Sequence, residues 1–165
     1  MNKLTVKELL ARLDIAACRE LATFGALSDE CILALLNGGE ILELAAGEKI
    51  ERYDEPADDF QVVLSGRTAF YKRGDGCQVL TRYFHPGDQI GFDLMIGLIP
   101  HNGTDVAEEP SILLNIDKAL FYRLHVEHPE DFGLLMINLA RELAREIEIL
   151  EDLITDVAPA SRQTG

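Results

Sequence analysis

Between Ile41 and Ile116 the chain runs as short apolar segments, over 41–44, 49–53, 60–64, 68–72, 78–84 and 111–116, each too short to make a stable helix. They are rich in β-branched and aromatic residues, and turn formers separate them: Gly47, Gly66, the Asp75-Gly76 pair and Pro86-Gly87-Asp88. Such a rhythm restricts the middle of the chain to antiparallel strands. On both sides the apolar period becomes helical. Leu4, Leu9, Leu10 and Leu13 share a face, and after Gly25 so do Leu27, Ile32, Leu35 and Leu36, with Ser28 as a simple N-cap.

After Asp117 a short helix through Phe121 and Leu124 is expected. Pro129 then opens a long one, where its missing N–H costs nothing. In that helix Met136, Ala140, Leu143, Ile147, Leu150, Ile154 and Val157 recur at spacings of four and three, a heptad seam. The seam packs either on the β block of its own chain or, in its distal half, on the same helix of a second subunit; the acidic flanks favour the second. Residues 130–156 carry eight acids and two Arg, so ion pairs beside the seam are scarce and the association should depend on salt. The sequence therefore predicts an α+β chain: helices over 3–37, a small antiparallel β-barrel or jelly roll over 41–116, and helices over 118–157. These form one domain, with 158–165 as a flexible tail.

Fifteen Lys and Arg against 29 Asp and Glu give a net charge of −14, which repels nucleic acid and anionic membrane alike. No apolar run reaches the roughly 18 residues of a membrane span and the start has no secretory pattern, so a soluble cytoplasmic protein is expected. Cys18, Cys31 and Cys77 lie far apart and form no CxxC pair. They read as small buried hydrophobes and not as a disulfide or zinc framework.

Four turn motifs occur in a fixed order: Gly47-Glu48-Lys49-Ile50, Asp59-Phe60, Leu64-Ser65-Gly66, and Pro86-Gly87-Asp88-Gln89-Ile90-Gly91. With the helix–strand–helix layout around them, the chain from about Phe24 to Leu153 resembles the cyclic nucleotide-binding domain of cyclic AMP receptor protein-like sensors. The resemblance implies a jelly roll whose phosphate-binding cassette begins at Gly91, with a short helix offering its N-terminal amides to the cyclic phosphate. It also implies an output hinge at the start of the long helix, near Phe132 and Gly133. Regulators of this kind carry a helix-turn-helix after that helix. Only 158–165 follow here, so no nucleic-acid partner is expected.

The family pattern has a glutamate directly after the glycine, for the ribose 2′-hydroxyl, and an arginine ten residues after the glycine, for the phosphate. Phe92 and His101 stand at those places. Losing one partner of a buried hydrogen-bonded charge pair costs roughly 2 to 5 kcal/mol, so micromolar affinity would become roughly millimolar. Asp93 and Asp105 make the neighbourhood less favourable to an anion, and Asp93 would replace the ribose acid only if the short helix shifted. Arg82 has two readings. It points inward with Leu80 and Phe84, supplying a charge or pairing with an acid, or it is solvated while Val79, Thr81 and Tyr83 turn in.

The candidate ligand residues are Gly91, Phe92, Asp93, Leu94, His101, Asn102, Gly103 and Arg82; the candidate dimer residues are Leu143, Ile147, Leu150, Ile154 and Val157. No cofactor is expected beyond a cyclic nucleotide or another small anionic ligand. His85, His101, His125 and His128 form no metal-ligand pattern on the strands, and no GxSxG or activated cysteine occurs, so no enzyme is expected. The expected function is a dimeric regulatory sensor with a diverged pocket. The alternative is a ligand-free scaffold that presents its acidic long helices to a protein partner.

Overall fold

Residues 60–64 are apolar on both strand faces except at Gln61, a pattern that needs a strand covered on both sides. In the computed structural model, which describes residues 1–74 and 76–157 (Val157 by its backbone alone), that strand lies in the middle of two layers. The turn residue Asp75 and the expected tail fall outside the described residues.

In chain order the elements are β1 (Asn2–Leu4), α1 (Val6–Leu10), α2 (Ile15–Arg19), a 3-10 turn (Ala22–Phe24), α3 (Asp29–Gly38), β2 (Glu40–Leu44) and β3 (Lys49–Glu51). There follow β4 (Asp59–Ser65), β5 (Thr68–Arg73), β6 (Gln78–Phe84), β7 (Gln89–Ile90), α4 (Phe92–Gly97), β8 (Gly103–Ala107), β9 (Ser111–Asp117), α5 (Lys118–Glu127) and α6 (Pro129–Val157). One sheet has the order β1-β2-β9-β4-β7 and the other β3-β8-β5-β6, with every pair antiparallel. This is the jelly-roll architecture, flanked by helices, that the strand rhythm predicts.

The strand period sorts the core. Ile41, Phe60, Val62, Leu64, Ile112, Leu114 and Ile116 face the helices, where they meet Phe24, Ile32, Leu35, Leu135 and Leu139. Leu42, Leu44, Val63 and Leu113 face the second sheet and meet Phe84, Ile90 and Ala107. Ser28 caps α3 through the Cys31 amide, as expected, and Asp14 and Asp117 cap α2 and α5.

Three local expectations are corrected. The start is not helical from residue 3. Asn2–Leu4 pairs with Glu43–Ile41 as an edge strand, and the first helix begins at a Thr5/Glu8 capping box. Gly103–Ala107, absent from the expected strands, is a strand between β3 and β5. Cys18 and Cys31 are buried but Cys77 is exposed on the β5–β6 hairpin, so only two of the three are core hydrophobes.

α6 runs 29 residues, about 43 Å at the helical rise. Its proximal part packs through Leu135, Asn138, Leu139 and Glu142, all buried, a stripe offset from the expected seam. Asn138 fastens it by donating to the carbonyls of Thr23 (3.2 Å) and Gly25 (2.7 Å). Met136 and Leu143 pack only partly against that core, and Ala140 is exposed. No helix among the described residues is long and apolar enough to cross a membrane.

Candidate functional site

A cavity of about 770 Å³ lies between the four-stranded sheet, α4 and α6, within the size range of small-molecule sites. Its apolar wall includes Ile50, Phe70, Phe84, Ile90, Leu94, Ile149 and Leu153. Gly91 opens the entry to α4 with φ +81°, the left-handed region that glycine takes without strain. Gly103 lets β8 pass closely against β5, where a Cβ would sit 2.7 Å from the Tyr71 carbonyl oxygen.

Of the residues singled out from the sequence, Gly91, Asp93, Leu94, His101, Asn102, Gly103 and Arg82 line this cavity. Phe92 does not, and its inclusion is corrected. Its ring is 2% exposed and points into the helix-side core, in edge contact with Phe60 (centroids 5.3 Å apart) and Phe121 (5.9 Å). A residue that starts a helix on a layered domain can face the ligand or the core, and the apolar side chain takes the core. Its amide N–H stays at the site and donates to Gln89 Oε1 at 2.8 Å.

His101, at the family's arginine position, is held by its own backbone. Its N–H donates to the Glu55 carbonyl and its carbonyl accepts from the Asp54 N–H, each at 2.9 Å. Burial, and then the nearby Arg52 charge, hold the imidazole below the usual histidine range, so near neutral pH it offers a phosphate no positive charge. Among the described residues, five buried side-chain atoms have no hydrogen-bond partner. Two of them belong to cavity residues, His101 Nε2 and Asp105 Oδ1. Burial pushes the Asp105 carboxyl up to about 7 against the opposing pull of Arg52.

The cavity's guanidinium groups are engaged by the chain's own carboxylates. Arg52 donates to Asp59 at 2.6 Å, Arg145 pairs with Glu142, and Arg82 pairs with Glu146. Of the two readings of Arg82 the structure has the inward one, but Leu80 does not accompany it. The β5–β6 register shifts between Phe70 and Tyr71, whose partners are Arg82 and Leu80, so Thr81 is an extra residue that breaks the alternation. Leu80, Val79 and Tyr83 are all exposed.

Arg52, Gln89, Asp105, Glu142 and Glu146 were not among the sequence candidates. Signals for them existed. Ile50 and Arg52 share a strand face, as do Gly103, Asp105 and Ala107, and the stripe Leu135, Leu139 continues at helical spacing to Glu142 and Glu146. Of the expected interface residues, Leu143 is partly buried in its own chain, while Ile147, Leu150 and Ile154 are exposed. The Val157 side chain lies outside the described residues. At the expected hinge, Phe132 packs on Phe121 (4.9 Å) and His125 (5.0 Å), whereas Gly133 has open space around it.

The family model for the cyclic nucleotide-binding domain matches residues 41–128. The chain is 27% identical over 130 residues to the cAMP-dependent protein kinase regulatory subunit of Yarrowia lipolytica, covering 79% of this chain and 32% of that protein. It is 30% identical over 106 residues to the lysophospholipase NTE1 of Cryptococcus neoformans, covering 64% of this chain and 6% of that one. Thus it spans about a third or less of these curated relatives. A cyclic nucleotide-binding domain from Methylobacillus flagellatus has the same fold, with a TM-score of 0.78 at 19% identity over 97% of this chain and 90% of that one. With the jelly roll, the Gly91 turn into α4 and the cavity in place, the chain belongs to the cyclic nucleotide-binding domain family.

Proposed function

We propose that this chain is a regulatory, non-catalytic sensor module whose cavity takes a small ligand, and that its affinity for cAMP and cGMP is weak. One observation carries the reading. The position of the ribose-binding acid is a phenylalanine turned into the core, and that of the phosphate-binding arginine is a buried neutral histidine. The remaining cavity arginines already hold carboxylates, so an anion entering the site finds no free guanidinium and meets Asp93 beside it.

A thermal melt with cAMP, cGMP and cyclic dinucleotides tests this. A ligand at 100 times its dissociation constant adds about 2.7 kcal/mol, roughly 5 to 10 °C for a chain of this size. At about 1 mM nucleotide we expect a shift of no more than about 2 °C, as for dissociation constants near millimolar. A shift of the larger size at micromolar nucleotide would refute the reading.

The second part of the proposal is a homodimer through distal α6. Ile147, Leu150 and Ile154 are each more than half exposed along one stripe of distal α6, with Leu150 also bordering the cavity. Sedimentation equilibrium should give twice the chain mass, and Ile147→Asp with Ile154→Asp should give the monomer. Because acids dominate the flanks, raising the salt from about 20 mM to about 500 mM should tighten the dimer by screening repulsion. A monomer at all concentrations would leave the exposed stripe, with its acidic flanks, to the alternative role of docking a basic protein partner.

A further inference from the structure

The two ends of α6 are attached to the domain by different chemistry. The proximal end is buried through Leu135 and Leu139 and fastened by Asn138. Farther along, the attachment is polar and runs through the cavity. Glu146 reaches from α6 to the β6–β7 side, where its carboxylate pairs with Arg82 and its Oε1 accepts from Gln89 Nε2 at 2.8 Å. Gln89 is 2% exposed, and its other end accepts the amide N–H of Phe92 at the start of α4. The guanidinium of Arg82 lies over the Phe84 ring, 4.6 Å from its centroid, which fixes it on the cavity wall.

One carboxylate of the output helix thus takes a cationic donor of β6 and the amide donor next to the cassette. A phosphate bound beside α4 would compete for those donors. We propose that Glu146 is a built-in counter-ligand: it occupies Arg82 and Gln89, holds α6 against the cavity and excludes small anions, which compete with it for Arg82. The proposal rests on the cavity being the ligand site. It adds the residue that sets the site's charge preference and the class of ligand, a small phosphate-bearing anion, that would displace the helix.

Two features of the surroundings fit. Burial pushes the Glu146 carboxyl up, with Arg82 opposing and the Asp93 charge adding to the rise, so the pair is under electrostatic tension from its own neighbours. Glu142, one turn earlier, also lines the cavity but pairs with Arg145 on the same helix, so it neutralises its own neighbour and crosslinks nothing. Glu148, two residues beyond Glu146, is exposed and does not line the cavity, so it is the control on the same helix.

The test titrates cAMP by calorimetry into the full chain and its variants. Glu146→Gln keeps the shape and the Gln89 contact, and it should bind cAMP at least 10-fold more tightly than the wild type. Glu148→Gln should change affinity less than about 3-fold, and Arg82→Gln added to Glu146→Gln should abolish the gain. Amide hydrogen exchange over residues 147–156 should also rise in Glu146→Gln without any ligand, because the latch is gone. Equal affinity of wild type and Glu146→Gln, including no measurable binding by either, overturns the proposal, as does an equal gain from Glu148→Gln. Tight binding by the wild type itself is a different result, and would instead refute the weak-affinity reading above.

Discussion

Replacing Phe92 with glutamate, the residue the family pattern has there, is expected to destabilise the domain by at least about 4 kcal/mol and to restore no nucleotide binding. Phe92 is 2% exposed, in edge contact with Phe60 and Phe121, which themselves sit 5.7 Å apart. Removing a buried phenylalanine costs about 3 to 5 kcal/mol. A carboxylate left in the same place adds a desolvation penalty of several kcal/mol, or gives up its charge. Against the 5 to 15 kcal/mol that holds a typical domain folded, this is a large share.

The melting point should fall by about 10 °C or more, and the loss should shrink at acid pH. A buried glutamate binds its proton more tightly folded than unfolded, so its penalty is absent below its ordinary range near 4.3 and grows as pH rises above it. Phe92→Leu, which stays apolar, should cost only about 1 to 2 kcal/mol. Thermal melts of both variants at pH 4.5 and 7.5 decide the matter. If Phe92→Glu melts within 2 °C of the wild type at pH 7.5, α4 can turn this side chain outward and the cavity is a displaced version of the family's site.

The contrast between Phe92 and Arg82 shows which part of this molecule was legible in the sequence. The strands were, because alternation and turn residues are local. Gln78–Phe84 is bounded as the pattern predicts, and Phe60–Leu64 lies within Asp59–Ser65. The edge strand Asn2–Leu4 was not. It has three residues, too few for a period, and exists because β2 offers it a partner. The α6 seam was half legible: heptad spacing identified the exposed distal stripe, but the proximal face is set by Leu135 and Leu139, which meet a sheet that the helix sequence does not reveal.

The site divides along the same line. The glycine turns and the order of cassette residues are local, and six of the seven cassette candidates line the cavity. How α6 meets the cavity is decided by contacts between residues far apart in the chain. Glu146 pairs with Arg82 and accepts from Gln89, which is 57 residues away. No periodicity carries such information. Glu142 and Glu146 looked like the solvated flank of a dimer seam, and only the docking of α6 turns them into the cavity.

The second large effect concerns Asp105, and it has the opposite sign from most core substitutions: Asp105→Asn should stabilise the protein near and above neutral pH. In the fold its carboxyl is pushed up to about 7 because burial penalises the charge, with Arg52 only partly compensating and Oδ1 left without a partner. In the unfolded chain an aspartate titrates near 3.9. Between those values the folded state holds a proton that the unfolded state has released. Wild-type stability therefore falls as pH rises from about 4 to about 7 and levels off above it.

The ceiling on that loss is about 4 kcal/mol, taking roughly 1.4 kcal/mol for each tenfold difference in proton affinity. Relaxation and water entry would reduce it to about 2 kcal/mol. The amide does not ionise, so urea unfolding should show the variant and the wild type within about 1 kcal/mol at pH 4.5, and the variant ahead by about 2 kcal/mol at pH 8. The difference should grow across the interval between. Parallel curves at all pH values would mean that Asp105 is ionised and solvated in the fold. The floor of the cavity would then be wet, and His101, whose neutrality rests first on the same burial, would be free to take a proton and receive a phosphate.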